Sequence, residues 1–275
     1  MSDSDGPARC ALCLNVRALR RSHLFPKAVY RDMRRNLGPG LTDPIRVDTF
    51  GGNACTTSRQ ATRHLLCGDC EQRICRLGEN AVLPDLRRHD GFALRDRRLV
   101  DVDVYRPCDP PHDGAPDRDA WTHFALGLIW RGAIAPWGPE SVITGYLECF
   151  EEPFRAWLHG SGEFPLSTVV EIVVDTDATS PAIGGLNVVE NSRFGLERIF
   201  QFIVPGCCVR VHVGGYGNRL VHEVFGQALP PILFRKDSFA RIGLTALAQA
   251  SFERTVARGA LATTLARRTR SSQSR

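Results

Sequence analysis

Apolar residues recur at helical spacing in several stretches of the chain. In residues 26–37 they fall on one side of a helix, which Gly38-Pro39-Gly40 is expected to end. The segment after Asp119 has large apolar residues at the spacing of a buried helix as far as Pro136. Asp119 is expected to cap that helix. Further helices are predicted over 70–78, 142–158 and 237–268, the last weakened at Gly259.

Other stretches alternate apolar and polar residues, the pattern of a strand with one buried face. In 207–213, valines alternate with Arg210 and His212, and the adjacent Cys207 and Cys208 should point to opposite faces. Strands are predicted within 14–23 and over 45–47, 98–105, 168–175, 186–189, 198–204 and 207–213. Because the second half of the chain has helices first and strands afterwards, it is predicted to be an α+β domain with an antiparallel sheet.

The 275-residue chain is long enough for two domains. The stretch from Pro107 to Pro116 is too rich in Pro, Asp and Gly for regular structure, so the domain boundary is predicted there. The predicted units are a zinc-binding domain over 1–106, a Pro/Asp-rich linker over 107–118, an α+β domain of unassigned role over 119–268 and a basic tail over 269–275.

Two Cys-x-x-Cys pairs carry the strongest chemical signal. Each short loop can turn two thiolates onto one ion, and two such loops fill the four positions of a closed tetrahedral zinc site. A disulfide pair is the alternative, but the residues before Cys10 are polar and acidic, which predicts a reducing, cytoplasmic location. A thioredoxin-type redox motif would need only one pair. The residues predicted to bind structural Zn²⁺ are Cys10, Cys13, Cys67 and Cys70.

The order of motifs around these cysteines is distinctive. The first pair is followed by Ser22-His23-Leu24-Phe25-Pro26 and then by Gly51-Gly52, and the second lies in a Leu-Leu-Cys-x-x-Cys-Glu-x-Arg segment ending at Arg73. This order resembles the zinc-containing HNH endonuclease family in its treble-clef ββα-metal (His-Me finger) form. It is most similar to a divergent bacterial group with Ser-His-x-x-Pro-Lys and Cys-Glu-x-Arg…Gly-Glu segments. The resemblance covers the first third of the chain and implies a zinc-stapled treble-clef ββα finger there.

The resemblance also implies catalytic residues. In the family, the His of the His-x-x-Pro segment is the general base that activates water, here His23, and the positions of Ser22 and Glu71 bind a catalytic divalent metal. The family usually has an acidic residue or a His in place of Ser22, and a His in place of Glu71. A carboxylate suits Mg²⁺ or Mn²⁺, whereas a neutral hydroxyl is a poor substitute. The Asn of the motif has three candidates, which are Asn53, Gln60 and Asn80.

Charge singles out one surface. The formal net charge of +5 is a mild basic bias, which suits a polyanionic partner without requiring one. The helix predicted over 26–37 has a cationic face, and Asp32 is the only acid from Leu14 to Leu37. A solvated charged face is the alternative interpretation. The residues predicted to contact nucleic acid, DNA in the first instance, are Lys27, Arg31, Arg34 and Arg35.

Two functions from different classes follow from these observations. One is metal-dependent hydrolysis of phosphodiester bonds with His23 as the base. The other is a catalytically inactive zinc-stapled module that binds nucleic acid or protein, which the hydroxyl at Ser22 favours. A membrane partner is not expected, because the longest apolar stretch, 120–135, is shorter than the roughly 20 residues needed to span a bilayer.

Two charged residues have open roles in the sequence. Glu79 follows Gly78 at the predicted end of a helix, where it either caps the next turn or contacts the catalytic site. Arg131 interrupts the apolar helix after Asp119. With Trp130 it either forms a stacked recognition pair or packs in the core, and packing is the favoured interpretation.

Overall fold

The computed structural model describes residues 7–35, 37, 41, 43–48, 51–88, 90–97, 116–138, 141–177, 184–191, 197–215 and 232–273. The N-terminal elements are β1 Ala8–Arg9, β2 Val16–Arg17, β3 Leu19–His23, α1 Lys27–Arg35, β4 Ile45–Asp48, β5 Asn53–Thr56, β6 Thr62–Cys67, α2 Gly68–Ile74, a π-helical segment Cys75–Glu79, α3 Asn80–Val82 and α4 Ala93–Asp96. They are followed by α5 Arg118–Ile134, a 3₁₀ turn Glu148–Phe150, α6 Glu151–His159, β7 Thr168–Asp175, β8 Gly184–Asn191, β9 Glu197–Val204, β10 Cys207–Val213, β11 Ile232–Asp237, α7 Leu244–Glu253, β12 Val256–Ala257 and α8 Ala260–Gln273. The chain is therefore of mixed α+β class, as predicted. The strand predicted over 98–105 lies outside the described residues.

A pair of antiparallel strands and a helix form the frame of the N-terminal part. β3 pairs antiparallel with β6, from Leu19 opposite Cys67 to His23 opposite Thr62. The chain then passes from β6 directly into α2. The second cysteine pair consequently lies where the strand becomes a helix.

The sequence predicted that the helix beginning with α2 would end at Gly78, and this prediction is wrong. The helix continues through the π-helical segment into α3. Gly78 is instead the point of closest approach to α5, because a Cβ at this residue would lie 2.8 Å from the backbone nitrogen of Phe124. This glycine therefore has a packing role inside a continuous helix rather than a role as a helix terminator.

The insertion over 41–60 forms two strands where the sequence indicated one. β4 and β5 are antiparallel, and β12 from the C-terminal region pairs in parallel with β5. The backbone N–H of Val256 donates to the carbonyl of Gly52 at 3.0 Å, and that of Arg258 to Ala54 at 2.8 Å. The helix predicted over 237–268 is therefore divided into α7 and α8 by a strand that covers the open edge of β5.

Helix α5 contains the long apolar stretch, and most of its side chains are buried. Its N-cap is Asp117, whose carboxylate accepts a hydrogen bond from the N–H of Ala120 at 3.0 Å. The predicted cap, Asp119, lies inside the first turn, because the helix already begins at Arg118. The helix predicted over 142–158 is confined to α6, and the residues before it form turns.

The large sheet has the strand order β11-β7-β10-β9-β8. Its last four strands confirm those predicted over 168–175, 186–189, 198–204 and 207–213. All neighbouring pairs are antiparallel except β11 and β7, which are parallel. The predicted antiparallel sheet is therefore correct apart from β11, an edge strand that the sequence did not reveal. Cys207 and Cys208 lie in different apolar clusters on opposite faces, as predicted.

One buried apolar cluster contains residues from both sides of the predicted domain boundary. Phe25 belongs to it together with Phe124 of α5 and Phe202 of β9. The rings of Phe25 and Phe202 are 6.2 Å apart in an edge-to-face arrangement. The division into two domains stays a prediction, and most of the predicted linker lies outside the described residues.

Among the described residues, no helix combines the length and the apolar character that a membrane span requires.

Candidate metal centre and the neighbouring carboxylate site

The four predicted cysteines lie together and are positioned to hold a metal ion. The Sγ atoms of Cys10, Cys13, Cys67 and Cys70 are all within 4.8 Å of one another. The Sγ atoms of Cys13 and Cys67 are 3.8 Å apart. Four sulfur ligands placed tetrahedrally around Zn²⁺ at about 2.3 Å would also be about 3.8 Å apart. The donor set and its spacing are those of a closed structural zinc site.

The backbone explains why the first pair turns inwards. The N–H of Leu14 donates to the carbonyl of Cys10 at 2.9 Å, and the N–H of Cys10 to that of Asn15 at 2.9 Å. Leu14 completes this turn with a left-handed φ of 63°. The N–H of Cys67 then donates to the Sγ of Cys10 at 3.3 Å, which joins the two pairs.

The electrostatics of the cluster favour a bound cation. Burial raises the pKa of the Cys10 thiol, but hydrogen bonds from the backbones of Cys13, Cys67 and Leu12 outweigh burial and lower this pKa to about 7. Burial and the neighbouring thiols raise the pKa of Cys70. Four thiolates cannot coexist here without a compensating charge, and a bound divalent metal would supply that charge.

Ser22 and Glu71 form a second polar site beside the cysteines. Ser22, on β3, is 0% exposed, and its Oγ donates a hydrogen bond to Oε1 of Glu71 in the first turn of α2. Burial raises the pKa of Glu71, and the Ser22 hydrogen bond and the positive charge of Arg131 oppose this rise. The two residues that the family resemblance assigned to one metal are therefore in direct contact. We call them the carboxylate site.

Glu71 also lines an open depression with a volume of about 550 Å³. Its lining residues are Arg20, Gly68, Asp69, Glu71, Gln72 and Cys75. Among the described residues, His23 is not part of this lining. The carboxylate site is thus accessible from the Glu71 side, while Ser22 is enclosed.

His23 ends β3 and is partly exposed. Burial lowers the pKa of its imidazole, and the nearby positive charges of Arg21 and Lys27 lower it further. The imidazole is therefore neutral at neutral pH, which is the protonation state that a general base requires. Its backbone carbonyl accepts a hydrogen bond from Nη1 of Arg131 at 3.0 Å.

The predicted basic face is exposed along α1. Lys27, Arg31 and Arg35 point to solvent, as does Arg34, which also donates to the carbonyl of Ser58 at 2.7 Å. The paired strands β3 and β6 also carry exposed cations, which are Arg20, Arg21 and Arg63.

Glu79 and Arg131 form a buried ion pair. Arg131 therefore packs in the core, as the sequence favoured, but its pairing with Glu79 was not predicted. Nη2 of Arg131 lies 2.8 Å from Oε1 of Glu79, and the Arg131 side chain is 2% exposed. The second carboxylate oxygen, Oε2, accepts a hydrogen bond from the thiol of Cys75 at 3.4 Å. An arginine within an apolar helix was the available signal, because a fully buried charge is almost always paired.

Comparison with known protein families, with curated proteins and with solved structures finds no match to this chain.

Proposed function

We propose that this protein is a metal-dependent endonuclease of the HNH type, with a treble-clef ββα-metal finger in its N-terminal part. The observation that carries the proposal is the Ser22–Glu71 hydrogen bond, next to His23 and beside the four-cysteine cluster. The treble-clef arrangement is supported by one cysteine pair in the β1–β2 turn and the other between β6 and α2.

Each residue of the candidate site has its own role in the proposed reaction. His23 takes a proton from the attacking water, and its depressed pKa keeps the imidazole available for this role. Glu71 and Ser22 would hold the catalytic metal. One carboxylate suits Mg²⁺ or Mn²⁺, which proteins often hold through one or two carboxylates, with water and substrate phosphate completing the ligands. When bound, such an ion supplies electrostatic stabilisation of the developing phosphate charge.

The exposed cations would hold the nucleic-acid backbone. Phosphate contacts release counterions, so each lost contact should lower the slope of log affinity against log salt by about 0.9 for duplex DNA. Replacing Arg31 and Arg35 with Ala tests this expectation. Arg34→Ala should lower the slope less than Arg31→Ala or Arg35→Ala, because the Arg34 guanidinium already contacts Ser58 and lies 4.0 Å from Asp43.

The second candidate is a zinc-stapled binding module without catalysis. The enclosure of Ser22 and the absence of His23 from the lining of the depression, within the described residues, favour it. It would use the same basic surface for nucleic acid or a protein.

Nicking of supercoiled DNA in Mg²⁺ or Mn²⁺ separates the two candidates. His23→Ala should lower the rate by about 10²- to 10⁴-fold while zinc content and thermal unfolding stay unchanged. Glu71→Ala should be equally damaging. His64→Ala is the control, because His64 is an exposed histidine on β6, the strand that pairs with β3. A wild-type protein that binds DNA but never nicks it would leave the binding module as the function.

A further inference from the structure

Arg131 connects helix α5 to two separate segments of the N-terminal part. Nε donates to the carbonyl of Gly127 at 3.1 Å, Nη1 to that of His23 at 3.0 Å and Nη2 to the Glu79 carboxylate at 2.8 Å. All three guanidinium nitrogens therefore have a partner, in a side chain that is 2% exposed.

The contact with His23 lies where β3 ends. The next N–H, that of Leu24, donates to the carbonyl of Ala61 at 3.0 Å and extends the pairing of β3 with β6 by one hydrogen bond. The His23 carbonyl is held from the other side by Arg131, which is 108 residues away in the chain. The direction in which β3 ends, and with it the position of the His23 side chain beside Ser22, thus depends on α5.

The Glu79 side of the network is equally constrained. Glu79 ends the π-helical segment that follows α2, and such turns frequently occur at functional sites. At Gly78 this segment lies so close to α5 that a Cβ there would be 2.8 Å from the backbone nitrogen of Phe124. The helix that carries Glu71 and the strand that carries His23 are therefore held in one arrangement by the same guanidinium.

We propose that Arg131 is the positioning residue of the candidate site, and that α5 completes that site from outside the N-terminal part. The catalytic consequence rests on the proposed nuclease function. The three acceptors are bound by three different nitrogens of one planar guanidinium. Lysine has all its N–H donors on a single nitrogen, so it cannot reproduce this arrangement.

The chain offers a matched control. Arg155 on α6 also reaches back to the N-terminal part, where its Nη1 donates to the carbonyl of Leu12 at 2.6 Å. That contact lies in the first cysteine turn, away from His23. Loss of Arg155 should loosen the cysteine turn without moving the end of β3.

The test compares Arg131→Lys with Arg155→Met by amide hydrogen exchange and nicking kinetics. Lysine keeps a positive charge beside Glu79. The double variant Arg131→Met with Glu79→Gln removes both charges, in case a strained lysine prevents folding.

In either Arg131 variant, the Leu24 amide should exchange at least about tenfold faster, because the end of β3 opens locally. The kcat of nicking should fall by about 10²-fold at nearly constant KM, the typical cost of misplacing a catalytic group. Arg155→Met should change exchange at Leu14 and leave kcat unaltered.

Unchanged exchange at Leu24 in a folded Arg131→Lys protein would overturn the inference. An equal fall in kcat for Arg155→Met would also overturn it, since general loosening would then explain the loss. If the wild-type protein has no nicking activity, the nuclease proposal fails by itself, and the exchange comparison still decides whether Arg131 positions His23.

Discussion

Two polar clusters lie along the helix that begins with α2, and they are built in opposite ways. The four thiols at its start come from two pairs, one in a local turn and the other where β6 passes into α2, and contacts of Cys67 with Cys10 and Cys13 join the pairs. The Glu79–Arg131–His23 network has no local pair, since its partners are 52 and 108 residues apart. The ligands of the first cluster all come from the N-terminal part, whereas the second cluster exists only when α5 is already packed.

Removing the metal should have the largest effect. Cys67→Ser leaves three thiols, and a structural zinc ion can contribute about 10 kcal/mol or more to folding. We expect the N-terminal part to lose its structure while α5 and the large sheet persist. Metal analysis and circular dichroism with and without a chelator measure this. Cys208→Ser, in a separate apolar cluster, is the control. Unchanged metal content and unfolding in Cys67→Ser would contradict the zinc assignment.

Breaking the Glu79–Arg131–His23 network should lower the free energy of unfolding by less than removal of the metal. Arg131→Met leaves Glu79 charged and buried without its partner, which typically destabilises by about 3–5 kcal/mol. The free energy of unfolding in urea measures this cost. Arg155→Met should cost only about 1.5–3 kcal/mol. It removes the hydrogen bond to Leu12 and the ion pair with Glu152, and the Glu152 side chain is 68% exposed, so no buried charge is left behind. Equal costs for the two variants would mean that the ion pair with Glu79 adds nothing.

The close contact between α5 and the π-helical segment gives a third comparison. Gly78→Ala places a methyl group 2.8 Å from the Phe124 backbone and should destabilise by about 1–3 kcal/mol. Gly127→Ala on α5 meets only ordinary contacts, at 3.8 and 3.9 Å, and should stabilise by about 0.5–1 kcal/mol because alanine favours a helix. Thermal unfolding of both variants measures the difference. A stabilising Gly78→Ala would contradict the packing described for this helix crossing.

The smallest effect is expected at a polar cluster on the outer face of the large sheet. His212 lies 3.1 Å from Glu197 and 3.7 Å from Glu171. Burial lowers the pKa of His212, but the two carboxylates outweigh it and raise the pKa above 6.5. The folded state therefore gains stability that is fully present below pH 6.5 and is lost as the pH rises through this raised pKa.

His212→Gln should remove this pH dependence, which we expect to be about 1 kcal/mol or less because the site is partly exposed. Thermal unfolding between about pH 6 and pH 9 measures it, since the unperturbed histidine titrates near the lower end of that range. A Tm difference between His212→Gln and the wild type that is the same at both pH values would contradict the assignment.

The regular elements that the sequence predicted best are those whose pattern reports burial directly. The strands over 168–175 and 207–213 have the predicted bounds. The first is a short, nearly continuous apolar run, and the second alternates apolar and polar residues in its second half, two patterns that are typical of strands. β11 and β12 were missed, since a short strand exists only where another strand offers it an edge. The cap at Asp117 rather than Asp119 is a local error of two residues with the same chemistry.

The residues of the candidate site also differ in how far the sequence predicted them. Cys10, Cys13, Cys67 and Cys70 were predicted from spacing, and their contact agrees with that prediction. Ser22 and Glu71 were assigned to one metal by resemblance alone, and the fold places them in hydrogen-bond contact. Their catalytic role stays a prediction. Glu79 and Arg131 had no motif, so neither composition nor periodicity could pair them.

By itself, the sequence determined the zinc-type donor set, the basic face of α1 and the strands of the sheet core. Each depends on residues close together in the chain or on a repeating burial pattern. Only the tertiary structure decided that α5 lies against the π-helical segment, that β12 pairs with β5 and that Arg131 holds the His23 carbonyl. A buried charge has to be paired, but the sequence does not say with which of many distant carboxylates. Close packing of the helices makes that choice.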